Sequence, residues 1–117
     1  MRILLIDDKR SFTRFDDEMV IFINVSKSFR CTLKDEILQA RTYEGGLMAL
    51  RQGPWDVLLL DNDLGEEKEG HQILEYLEFK VATHLVYELP GKSIPVTANP
   101  VAYTRMETII KRLYDKT

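Results

Sequence analysis

Val57-Leu58-Leu59-Leu60-Asp61-Asn62-Asp63 is a continuous apolar run that stops on two carboxylates. A run without alternation reads as a strand buried on both faces, the kind found inside parallel sheets. The same pattern opens the chain, where Ile3-Leu4-Leu5-Ile6 ends in Asp7-Asp8. A shorter version, Ile94-Pro95-Val96, ends in Thr97-Ala98-Asn99-Pro100. As parallel neighbours these runs deliver all three endings to one sheet edge, outside the carboxyl ends, where open α/β sheets bind ligands. Acids crowded there repel one another unless a cation joins them. The first expectation is therefore a Mg²⁺-dependent phosphate site, with Asp7, Asp8 and Asp61 as its metal-binding acids.

Working outward, strands are expected over 2–7, 37–42, 55–61 and 93–96. Pro95 suggests an edge position for the last of them. A helix is expected from about Tyr43 to Arg51, stopped by Gly53-Pro54. A second runs from His71, where Ile73, Leu74, Leu77 and Val81 have helical spacing, after a polar loop between Gly65 and Gly70. Asn99 is a preferred N-cap and Pro100 suits the first helical position, so a third helix runs to about Tyr114. Residues 9–36 are ambiguous. Met19, Val20, Phe22 and Ile23 fit an amphipathic helix, although the same stretch is β-branched enough for a strand. A helix is favoured over 16–25 because a parallel neighbour to the first strand needs a crossover. The order βαβαβαβα then implies a three-layer, flavodoxin-like α/β fold with helices on both faces of a four-stranded parallel sheet, strand order 2-1-3-4.

The chain of 117 residues reads as one domain, and its 44% hydrophobic and 30% charged content is that of an ordinary globule. A net charge of -3 argues against an extended nucleic acid as partner but not against a single nucleotide. Cys31 is the only cysteine, so no internal disulfide is possible, and no apolar run reaches bilayer length. A cytoplasmic location away from membranes is expected. His71 reads as a first-turn surface residue and Trp55 as core or rim packing.

Asp7-Asp8, Asp61 and Thr97-Ala98, each after a strand, resemble the receiver domains of two-component response regulators. The resemblance implies Mg²⁺-binding acids at Asp7 and Asp8, a phospho-accepting Asp61 and a phosphoryl-contacting hydroxyl on Thr97. Too few residues follow Thr97 for the fifth strand of a receiver, with its phosphate-contacting lysine, and the helix after it. Lys111 falls inside the last expected helix and does not replace that lysine.

A more detailed resemblance rests on Asp7-Asp8-Lys9-Arg10, Asp61-Asn62-Asp63-Leu64-Gly65, Gly70 and Ala98-Asn99-Pro100-Val101. These are similar to the D-D-x-R, D-H-D-L-G and H-S-x-N-P-V-G patterns of cyclic-phosphate processing receiver-like domains. That family is suggested to act on cyclic phosphates of nucleotides or RNA ends. Two of its histidines are replaced here, by Asn62 and Val96.

The residue types allow roles to be assigned. Asp8 and Asp61 are the natural direct ligands, with Asp7 acting through water. Asp61 and Asp63 are the candidate catalytic acids, Asp63 as a general base or acid, or else as a plain turn residue. Arg10, Thr97 and Asn99 are candidate phosphate contacts; Arg10 can equally be a surface arginine, and Asn99 equally a cap. The leading expectation is binding or processing of a cyclic phosphate or nucleotide with Mg²⁺. The alternatives are a degenerate pseudo-receiver that binds a ligand, a protein or a second copy of itself, a signalling receiver phosphorylated on Asp61, and last a phosphatase reading Asp61-Asn62-Asp63 as D-x-D.

Overall fold

A computed structural model describes residues 1–84 and 87–115. Its centre is a parallel sheet of β1 (Arg2–Ile6), β5 (Glu36–Ala40), β6 (Val57–Leu60) and β7 (Lys92–Pro95), in the order β5-β1-β6-β7. This is the expected 2-1-3-4 arrangement. Leu5 sits between Gln39 and Leu59 in register, and β6 carries the sheet on to β7 at the edge.

Helices α1 (Tyr43–Leu50), α2 (Gly70–Thr83) and α3 (Pro100–Tyr114) all pack on one face. Leu4, Ile6, Leu58 and Leu60 point to them and meet Leu50, Ile73, Leu74, Leu77, Met106 and Ile109. The handedness of crossovers explains this layout. The β5-to-β6 and β6-to-β7 connections move in the same direction across the sheet, so right-handed crossings put their helices on the same side. The β1-to-β5 connection moves the opposite way and must cover the other face. The reversal falls beside β1, which makes its carboxyl end the switch point.

That opposite connection is not the helix expected over 16–25. It is a three-stranded antiparallel meander of β2 (Thr13–Phe15), β3 (Glu18–Asn24) and β4 (Lys27–Thr32). An odd number of antiparallel strands makes one net traverse, so it returns the chain as a helix would. Two-residue turns punctuate it. Asp16, at φ 54°, takes the left-handed conformation that Asp tolerates, and Asn24 Oδ1 accepts the Ser26 N–H at 2.9 Å. Ile21 and Ile23 turn inward onto Ile3, Leu5, Val57 and Leu59. Phe22, between them, is exposed and meets the exposed Phe15 edge-on at 6.1 Å. Three layers are present, but helices cover one face and a small second sheet the other.

The helix ends follow local chemistry. Thr42 Oγ1 caps α1 by accepting the Gly45 N–H at 3.0 Å. Asn99 Oδ1 caps α3 by accepting from the amides of Val101 at 2.9 Å and Ala102 at 3.2 Å, with Pro100 in the first turn. Trp55 is buried as expected, its indole donating to the Ala49 carbonyl at 2.9 Å while the Arg2 guanidinium lies 4.2 Å from the ring centre. Cys31, in β4, is buried between the meander and the parallel sheet, and burial pushes its thiol pKa up. Among the described residues no helix is long and apolar enough to cross a membrane.

Candidate functional site

The carboxyl ends of β1, β6 and β7 surround a hollow of about 480 Å³, lined by Asp8, Lys9, Arg10, Asp61, Asp63, Thr97 and Asn99. Carboxylate oxygens of Asp7, Asp8 and Asp61 lie within 4.8 Å of one another. Two oxygens on opposite sides of an octahedral Mg²⁺ are about 4.2 Å apart, given bonds near 2.1 Å. The three acids therefore fit a divalent ion after a small closure, or with one of them acting through water.

The acids are not equivalent. Asp7 is wholly buried, and its Oδ1 accepts the amides of Lys9 at 2.9 Å and Arg10 at 2.8 Å. It shapes the loop as much as it charges the site. Gln39 holds the same loop from β5, donating to the carbonyls of Asp7 at 3.1 Å and Arg10 at 2.6 Å. Asp8 is half-buried, and its backbone carbonyl accepts from Arg41 at 3.2 Å. Asp61 is 6% exposed. Burial first, and repulsion from Asp7 second, push its pKa up to about 7 against the opposing pull of Arg10. The crowding of acids read from the sequence thus registers at Asp61.

Arg10 is not a loose surface residue. Its Nη1 donates to the Val96 carbonyl at 3.1 Å, lies 3.4 Å from Asp7 Oδ2 and stands 3.6 Å from Asp61 Oδ1. Its Nη2 donates to the Ile23 carbonyl at 3.3 Å, so the meander helps to position it. The guanidinium is an internal counter-ion at the rim of the hollow. Thr97 is buried with its Oγ1 accepting the Asn99 N–H at 3.2 Å, which leaves the hydroxyl proton to offer. Asn99 spends its side-chain oxygen on the helix cap, so only its amide nitrogen remains for a ligand.

Asp63 is exposed on the rim, and its Oδ1 accepts the Gly65 N–H at 2.9 Å. Gly65 has φ +69°, and a Cβ there would stand 2.8 Å from Asp8 Oδ2. Gly65→Ala is accordingly expected to cost about 1–2 kcal/mol in urea denaturation, from the left-handed backbone alone. It should also push the Asp8 carboxylate from its place, visible as a shift of the Asp8 resonances.

The two positions where the family pattern carries histidine differ in surroundings. Asn62 is buried beside the site. It donates to Glu69 Oε2 at 3.0 Å, while its Oδ1 accepts the His71 N–H at 3.1 Å and lies 3.1 Å from His71 Nδ1. His71 is in the first turn of α2 as expected, but half-buried and tied to the segment after β6 and not at the surface. Val96 is wholly buried in the core between sheet and meander. Lys9, which the sequence motif includes without a role, also lines the hollow, and its position next to the acidic pair is the signal for it.

Residues 2–112 match the model of the cyclic-phosphate processing receiver domain. The chain belongs to that family. Membership in the cyclic-phosphate processing receiver family agrees with the β5-β1-β6-β7 sheet. Among curated proteins no sequence matches. One similar solved structure is a fusion carrying the yeast Spc42 trimeric coiled coil, with a TM-score of 0.53 and 16% identity. The likeness covers 92% of this chain and 61% of that one, so the chain spans about three-fifths of its length. At that identity it supports the fold alone.

Proposed function

We propose that the hollow at the carboxyl edge binds a cyclic phosphate ligand together with Mg²⁺ and opens the ring by hydrolysis. The observation that carries this is the convergence of three carboxylates within 4.8 Å in a chain of the cyclic-phosphate processing family. Asp8 and Asp61 are the direct metal ligands, with Asp7 acting through water. When bound, the ion neutralises charge on the phosphoryl oxygens. Arg10 and the Thr97 hydroxyl hold those oxygens in place, and the Asn99 amide nitrogen is a further donor.

Ring opening consumes one water. Its oxygen bonds to phosphorus, one ester P–O bond breaks, and the departing oxygen takes a proton. Asp63, at the rim, accepts the proton of the attacking water. The test is turnover of a panel of nucleoside cyclic phosphates with Mg²⁺ present. Asp61→Ala is expected to lower the rate at least about a hundredfold. Activity that survives this change would remove the hollow from the chemistry.

A second reading is favoured by Asn62 and Val96, neither of which titrates. In that reading the site captures the same ligand without turnover. Calorimetric binding of a cyclic phosphate with no product formed would decide for it.

A further inference from the structure

A second hollow, of about 340 Å³, adjoins the acidic one and shares Thr97 and Asn99 with it. Its walls are the β3–β4 hairpin tip, with Asn24 and Lys27, and the first turns of α3, with Tyr103 and Thr104. The chemistry is opposite in sign. Among the described residues Lys27 is the one charged side chain lining it, and no carboxylate does. Its Nζ donates to the Tyr103 hydroxyl at 2.8 Å and stands 4.7 Å from the centre of the Tyr103 ring. Held by that hydroxyl, the ammonium is positioned before any ligand arrives. Asn24 fixes the tip that presents it, accepting from both the amide and the hydroxyl of Ser26 at 2.9 and 3.1 Å. The Tyr103 hydroxyl, having accepted from Lys27, still has a proton to donate.

We propose that Lys27 and Tyr103 form an anion subsite for a second phosphate on the ligand whose cyclic phosphate occupies the acidic hollow. This rests on the reading above and narrows its substrate class to cyclic phosphates that carry a further phosphate. Lys27 supplies charge and Tyr103 a directed hydrogen bond. The second phosphate has two sources: a free 5′-phosphate on the same nucleoside, or the phosphodiester to a preceding nucleotide.

The experiment compares three ligands by calorimetry with Mg²⁺: adenosine 2′,3′-cyclic phosphate, the same molecule with a 5′-phosphate, and a dinucleotide ending in the cyclic phosphate. One of the two longer ligands is expected to bind about tenfold tighter than the first, and which of them does so identifies the source. In Lys27→Met, which keeps the aliphatic stem, that ratio should fall to about one, and in Tyr103→Phe it should fall part of the way. Inorganic phosphate, titrated without Mg²⁺, tests the subsite apart from the acidic centre. It is expected to shift the Tyr103 ring resonances in the wild type and not in Lys27→Met. Equal affinities for all three ligands, or no shift at millimolar phosphate, would overturn the subsite and leave the acidic centre standing. A wild type that binds no cyclic phosphate yet shows the phosphate shift would overturn the reading of the acidic centre instead.

Discussion

Asp61→Asn is expected to stabilise the metal-free protein at neutral pH while abolishing its response to divalent cations. Both effects come from one buried carboxylate. In the folded chain Asp61 keeps its proton up to about pH 7, whereas unfolded it loses it near 3.8. Below the lower value both states hold the proton and Asp61 carries no penalty. Between the two the unfolded state binds fewer protons, so stability falls as pH rises, and above about 7 it stays at its lowest. The loss is on the order of 2–4 kcal/mol, and asparagine, which cannot ionise, removes most of it. Urea denaturation with a chelator, run from pH 4 upward, should show a falling curve for the wild type and a flatter one for the variant. A flat wild-type curve would contradict the crowding of Asp7, Asp61 and Arg10. Added Mg²⁺ must displace the same proton, so its apparent affinity should climb about tenfold per pH unit up to about 7 and then level off.

Gly70→Ala should be among the most damaging single-methyl additions in the chain. A Cβ at Gly70 would overlap the Asp61 carbonyl oxygen and stand 2.8 Å from the carbon behind it and 3.0 Å from the Asn62 Cα. These are backbone atoms, so no side-chain rotation relieves the clash. The backbone cannot slide away cheaply either. The Gly70 amide donates to the Asn62 carbonyl at 2.7 Å, and the next amide donates to the Asn62 side chain. A cost of at least about 3 kcal/mol is expected, with loss of cation binding because Asp61 moves with its carbonyl. By contrast, the three nearest atoms to a Cβ at Gly46 are side-chain methyls of Ile6 and Ile73. A Gly70→Ala midpoint near that of the wild type would mean that α2 can start elsewhere.

The centre of the parallel sheet was legible because β1 and β6 are buried on both faces, and two-sided burial leaves unbroken runs such as 57–60 and 3–6. Their carboxyl-end acids were legible for the same reason: each marks where an apolar run stops. The last helix could be read from Asn99-Pro100 before any packing was known. The meander was not. Its β3 is buried at Val20, Ile21 and Ile23 but open at Phe22, and Met19-Val20-Ile21-Phe22-Ile23 is too apolar to show the alternation that would mark it as a strand. The signals were in the punctuation, Asp16-Asp17 and Val25-Ser26, each a two-residue link between strands. Missing those turns hid Lys27, since only a hairpin brings it to the hollow beside Tyr103. Arg10 was found by motif, but its anchoring to the Ile23 carbonyl needed the meander as well.

The different settings of Asn62 and Val96 set unequal terms for placing an imidazole there. At position 62 it would arrive among Glu69 and His71, which already trade hydrogen bonds with the amide there. At position 96 it would enter the hydrocarbon cluster that holds Leu5, Ile21 and Leu59. The first place is furnished for a polar ring; the second would need its apolar layer repacked before it could hold one.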